Sequence, residues 1–129
     1  MAESRARLIS IVIALSSLNQ TLTLPVTPLT YAARLVRLIN ADTLEVELDL
    51  GLGLTSRQRI QLRNVDAPEL GRPGGVDAFS YVAELLTGAD LEVTPHSQDS
   101  FGRWLSDVTA DAQSVNDLLS QFLGAAVYV

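Results

Sequence analysis

The sequence predicts a β-rich α+β domain, and three patterns carry that expectation. Leu44, Val46, Leu48 and Leu50 alternate with Glu45, Glu47 and Asp49, which describes a strand with one dry face. Glycine- and proline-containing breaks fall at residues 51–53 and 71–75. Apolar residues take up helical spacing at 79–86 and again at 115–123. Read in order from Ala33, the elements are three strands, a helix, two strands and a helix. A helix between the third and fourth of five strands suits a small five-stranded barrel of the OB type better than a sandwich, with two or three helices in all.

Each element has its own local reason. The first strand is expected to start near Arg34, run through Val36 and Leu38, and end at the turn Asn40-Ala41-Asp42, forming a hairpin with the second strand and Asp42 at its bend. Gly51 and Gly53 break the second strand; a Gly-x-Gly this short is no phosphate loop and reads as a turn or bulge. The third strand is placed at 57–65, with Ile60 and Leu62 on one face and Arg59, Gln61 and Arg63 on the other. Pro68 stops it. A helix then places Phe79, Val82, Ala83 and Leu86 on one face and ends at Gly88. Residues 91–94 and 103–109 read as strands joined by a turn at 98–102. Ser114 is a good N-cap for a last helix, with Asp117 at its third position; that helix turns Val115, Leu118, Leu119, Phe122 and Leu123 inward and is expected to end at Gly124.

Composition narrows the chemistry. A chain of 129 residues, 47% hydrophobic, is one domain long and can bury a core. With no cysteine and the lone His96, any metal must be held by oxygen ligands or that imidazole, which favours a hard cation such as calcium over zinc. His96 itself, in a polar loop, reads as exposed rather than ligating, and Trp104 as core. The net charge is −6 and all nine cationic residues are arginine; from Ala33 onward, seven arginines face fourteen acids, a net of −7. Overall charge would not draw such a domain to nucleic acid, so phosphate binding must be local, through clustered arginines.

Residues 1–32 stand apart as an N-terminal extension to the domain at 33–129. Arg5 and Arg7 precede a mostly apolar run at 8–18 and then a polar, proline-containing linker with Pro25 and Pro28. This is the layout of a secretory signal, although Glu3 dilutes its basic part and no clean small-x-small cleavage site follows. A buried or dimer-forming helix is the other reading. The first makes the protein secreted or exported, the second leaves it cytoplasmic, and the run is too short for an ordinary bilayer span.

The most informative stretch is Val65-Asp66-Ala67-Pro68-Glu69, whose Asp66 lies 24 residues after Asp42. Two carboxylates able to share a metal, with a third three residues on, point to hydrolytic chemistry, though Asp is also a common turn-capping residue. Four motifs together carry a family resemblance: Asp42-Thr43, the Asp-x-Pro-Glu turn of Asp66, Pro68 and Glu69, the run Phe101-Gly102-Arg103-Trp104-Leu105, and Val115-Asn116. In this order and spacing the chain resembles the micrococcal nuclease, or thermonuclease, family. The resemblance implies calcium-dependent hydrolysis of phosphodiester bonds in DNA or RNA. By position, Asp42 and Asp66 are similar to the family's calcium-binding carboxylates, with the Ala67 carbonyl as a further ligand. Glu69 looks like the carboxylate that activates water, and Arg103 like the arginine that neutralises the phosphate.

The departures from that pattern are specific. Gln61 stands where active members place a second catalytic arginine, and an amide cannot replace a guanidinium's charge. Arg59 and Arg63 flank it on the same strand face, so either one reaches the phosphate instead or both pair with Glu45 or Glu47. Phe101 occupies a position where some members have tyrosine, and the family's phosphate-contacting lysines are missing; Tyr128, next to the last residue, is a further candidate for substrate contact. Two functions are therefore expected in competition: a metal-dependent nuclease, or a catalytically weakened nuclease-fold module that binds nucleic acid or protein.

Overall fold

The computed structural model describes residues 28–126, so the expected signal or linker segment up to residue 27, and Tyr128, lie outside the described residues. Strand β1 (Tyr31–Asn40) and β2 (Thr43–Gly51) form the expected antiparallel hairpin with Ala41 and Asp42 at its bend. Strand β3 (Leu54–Leu62) pairs with β2, and Ile60 faces Leu44 across the ladder. It ends three residues earlier than expected, because Asn64 takes a left-handed φ of 63° and turns the chain toward Asp66.

After the loop comes helix α1 (Gly75–Leu86), followed by β4 (Leu91–Gln98), β5 (Trp104–Ala110), a two-residue β6 (Gln113–Ser114) and helix α2 (Val115–Ala126). Helix α1 starts four residues before Phe79, and its buried face is Gly75, Ala78, Val82 and Leu86, leaving Phe79 and Ala83 half-buried. The Ser114 hydroxyl accepts from the Asp117 N–H at 3.1 Å, as expected of an N-cap, and α2 runs through Gly124 to Ala126. His96 lies on β4 rather than in a loop. Pro95 is tolerated beside it because β1 pairs with β4 only as far as Val93.

The strand order β3-β2-β1-β4-β5 closes on itself through a parallel pairing of β3 with β5, in which Ile60, Gln61 and Leu62 lie opposite Trp104, Leu105 and Ser106. The result is a five-stranded barrel of the expected type. Register shifts in β1 at Leu35/Arg37 and Leu38/Asn40 bend that strand around the barrel. Leu44, Val46, Ile60, Leu62, Val93 and Val108 fill the interior, and Val82 of α1 and Leu119 of α2 join the same core. Tyr81 and Phe122 stack between the two helices at 4.4 Å. Among the described residues no helix is long and apolar enough to cross a membrane.

Asn116, 6% exposed, fastens α2 to the barrel seam. Its Oδ1 accepts from the Val108 N–H at 2.9 Å, while Nδ2 donates to the carbonyls of Arg63 and Ser106, each at 3.0 Å. One side chain thus ties the end of β3 to β5 at the point of closure. Asn116→Ala is expected to remove all three bonds, leaving the Ser106 carbonyl only its bond from the Arg63 N–H, and to lower unfolding free energy by about 2–3 kcal/mol in urea denaturation. A loss below about 0.5 kcal/mol, the range of an ordinary surface change, would show that the seam does not depend on it.

Candidate active site

The hairpin bend and the turn after β3 meet at one end of the barrel, and there Asp42, Gln61, Asp66, Ala67, Glu69 and Arg103 come together. Asn40, Asp42, Thr43, Gln61, Asp66, Ala67, Glu69 and Arg103 line a single polar pocket of about 190 Å³. A larger hollow of about 310 Å³, lined by Leu29, Tyr31, Leu48, Leu50 and Trp104 among others, holds no acidic or basic side chain.

Asp42 anchors the pocket. It is 5% exposed, and its Oδ2 accepts from the Ala67 N–H at 3.0 Å. The Thr43 hydroxyl lies 3.0 Å from Asp42 Oδ1 and 3.2 Å from Gln61 Oε1. One hydroxyl proton serves one acceptor fully, and the carboxylate is the stronger; turning the Gln61 amide over lets its NH₂ donate to the hydroxyl instead. Gln61 therefore sits inside the pocket, bound to Thr43.

Asp66 and Glu69 stand on the exposed rim. The Glu69 turn is held at several points: the Leu70 N–H donates to Asn40 Oδ1 at 3.2 Å, and the Glu69 carbonyl accepts from the Arg72 N–H at 3.0 Å. Gly75, the first residue of α1, lies so close beneath that a Cβ there would stand 2.0 Å from the Glu69 carbonyl oxygen. Asn40 and Gly75 thus position Glu69 without any chemistry of their own. Asn40 could be suspected from its place in the acidic turn, but the contact under Gly75 has no local sequence signal.

Arg103 enters from the β4–β5 turn. Its Nε donates to Asp99 Oδ2 at 2.7 Å and its backbone N–H to Asp99 Oδ1 at 2.9 Å. Its guanidinium carbon lies 5.4 Å from the centroid of the Phe101 ring. Asp99, absent from the sequence-based candidates, fixes the orientation of Arg103. Arg63 is not brought into the pocket: its guanidinium holds Asp107 at 3.3 and 3.0 Å, and His96 Nε2 lies 2.8 Å from the same carboxylate. Glu45 and Glu47 pair with Arg37, Arg57 and Arg34 rather than with Arg59 or Arg63. Arg59 is exposed and lines a shallow hollow with Phe101 and Arg103, beside the pocket.

The donor set fits a hard cation. Asp42, Asp66 and Glu69 offer oxygen alone, and among the described residues no three His, Cys, Asp or Glu side chains close on one point. Side chains would therefore supply part of a shell, completed by backbone carbonyls, water and substrate oxygens, which calcium's irregular coordination accepts.

The class defined here is a closed OB-type barrel that carries an acidic, polar pocket with one facing arginine at one end. No protein-family profile matches the chain. It is 35% identical over 98 residues to an uncharacterized endonuclease of Escherichia coli O157:H7, covering 74% of this chain and 60% of that protein. It is 33% identical over 85 residues to a micrococcal nuclease of Shigella flexneri, 64% of this chain and 45% of that protein. To a probable staphylococcal-like nuclease of Oryza sativa subsp. japonica it is 33% identical over 64 residues, 50% of this chain and 19% of that protein. The chain belongs to the staphylococcal-nuclease-like family, and it spans about three fifths or less of the length of these curated relatives.

Two carboxyls titrate below the ordinary value of 3.8. For Asp99, desolvation raises the pKa but is outweighed by the bonds from the Arg103 N–H, the Arg103 guanidinium and the Phe101 N–H. For Asp107, desolvation is likewise outweighed by Arg63 and His96. A carboxyl whose folded pKa is lowered stabilises the fold above its unfolded value, and that stabilisation is lost as pH falls through the folded one. Stability should therefore fall below about pH 4, and Asp99→Asn should flatten this acid limb in urea midpoints measured against pH. An unaltered acid limb would contradict the pairing.

Proposed function

We propose that the chain is a calcium-dependent nuclease, hydrolysing phosphodiester bonds of DNA or RNA in the pocket between Asp42 and Arg103. The observation that carries this reading is the convergence of Asp42, of Asp66 and Glu69 on one turn, and of Arg103, from three separate segments, on one pocket of about 190 Å³. The nuclease names of the relatives support it.

Calcium, when bound, would polarise a phosphate oxygen and offset the charge of the attacked group. Asp42 and Asp66 would hold it, together with the carbonyl of Ala67. Glu69, on the rim and open to solvent, orients a water molecule and accepts its proton. Arg103, with Nε fixed on Asp99, offers its remaining N–H groups to the phosphate oxygens as charge builds there. With three carboxylates facing one guanidinium, the pocket repels a phosphodiester until a cation is added, so binding of substrate and metal should be coupled.

Gln61 favours a second reading. It lies in the pocket, hydrogen-bonded to Thr43, and brings no positive charge. A weakened module that holds nucleic acid or protein with little cutting follows if that charge is indispensable.

Cleavage of denatured DNA by the purified chain should require calcium and stop on chelation. Glu69→Gln should reduce the rate by about a hundred- to ten-thousand-fold. Calcium-dependent cleavage no faster than that of Glu69→Gln would overturn the nuclease reading in favour of the binding module. Gln61→Arg should raise the rate, and a large rise would show that the rest of the site is assembled.

A further inference from the structure

The apolar hollow of about 310 Å³ continues the barrel interior past its packed core. On β2, Leu50 shares the face of the buried Leu44, Val46 and Leu48, yet is 47% exposed. On β3, Ser56 and Gln58 share the face of the buried Ile60, and on β5 Trp104 shares that of the buried Ser106 and Val108. Tyr31, opposite Val93 at the start of β1, and Pro95, two residues beyond Val93, line the other side. The two polar members of the wall are bonded to each other, Gln58 Nε2 donating to Ser56 Oγ at 2.8 Å. The wall has a gap, because β3 pairs with β5 only from Ile60 to Leu62, and among the described residues its earlier part pairs with β2 alone. What results is a barrel mouth with an apolar lining and no charged side chain in it.

The chain enters β1 across the rim of this mouth, since Pro28 and Leu29 belong to its lining. The Thr30 hydroxyl lies 2.7 Å from that of Thr94, one residue beyond the pairing of Tyr31 with Val93. Pro28 has no N–H to give to β4, so it favours departure of the preceding chain from that strand. Just before it the sequence alternates: Leu22, Leu24 and Val26 are set between Thr21, Thr23, Pro25 and Thr27, the pattern of an extended segment with one apolar face. We infer that this segment covers the barrel mouth, with Leu22, Leu24 and Val26 set against Leu50, Tyr31 and Trp104 and the threonines turned to water. Val26 is two residues from Pro28, and an extended chain advances about 3.3 Å per residue, so the three side chains reach over the mouth without a further linker. A tether this short gives an effective concentration on the order of millimolar, so the segment has the advantage over a free apolar ligand or a second copy of the chain. The inference depends neither on the fate of residues 8–18 nor on the chemistry of the acidic pocket.

Trp104 is the chain's one tryptophan, so its emission reports on the mouth directly. The test is steady-state fluorescence and acrylamide quenching of the full chain, of Leu24→Asp and Val26→Asp, and of Thr23→Asp on the opposite face, each with its fold verified by circular dichroism. An aspartate carried into an uncharged apolar mouth has no partner there, so either of the first two changes should expel the segment. Both are expected to shift Trp104 emission to longer wavelength and to increase quenching, while Thr23→Asp leaves emission and quenching as in the unsubstituted chain. Emission and quenching unaltered by Leu24→Asp and Val26→Asp would overturn the inference, as would an equal shift in Thr23→Asp. Emission of the unsubstituted chain that moves to longer wavelength on dilution would also overturn it, by assigning the mouth to a second copy.

Discussion

A buried carboxylate at the bend of the first hairpin organises this molecule's functional end. Asp42 accepts the Ala67 N–H on its side chain, and its backbone carbonyl accepts the Leu62 N–H at 2.8 Å. The end of β3 and the turn that follows it are thereby hung on the β1–β2 bend. Asp66, Ala67 and Glu69 occupy their places because the chain between Leu62 and Ala67 is held at both ends by one residue. A carboxylate only 5% exposed is costly unless well paired. Its donors here are neutral, so an added cation gains more at this position than at an exposed carboxylate.

Barrel closure supplies the opposite wall. The parallel β3–β5 pairing brings Arg103 from the last hairpin up to Gln61 from the first three strands, and Asn116 fixes that seam from the helix side. Asp99 locks Arg103 through both backbone and side chain, while Asn40 and Gly75 hold the Glu69 turn. Arg103 is thus positioned by a carboxylate, and Glu69 by an amide and by the absence of a Cβ. Among the described residues no buried side-chain polar atom lacks a partner, which is the condition for such a polar rim to be rigid.

Much of this was legible in the sequence because the signals were local. The alternation from Leu44 to Leu50, the glycine break at 51–53, the Ser114 cap and the acidic turns at Asp42 and at Asp66 to Glu69 each act over a few residues. The errors came where a distant contact decides. β3 stops at Leu62, short of the expected Val65, because Asn64 turns the chain to let Ala67 reach Asp42. The sequence paired Arg63 with Arg59 as alternatives to a missing arginine. Asp107 of β5, forty-four residues away, holds Arg63 outside the pocket. Asp99 went unnoticed because nothing near it in sequence marks a carboxylate in a hairpin tip as anything but a turn former.

In the proposed nuclease the turns carrying Asp42 and Asp66 form half of a cation site. Calcium titration by isothermal calorimetry, without substrate, tests it most directly, on the unsubstituted chain and on Asp42→Asn with its fold verified by circular dichroism. A saturable calcium-binding event is expected, abolished or greatly weakened by the substitution. Calcium bound equally by both proteins, or by neither, would contradict it.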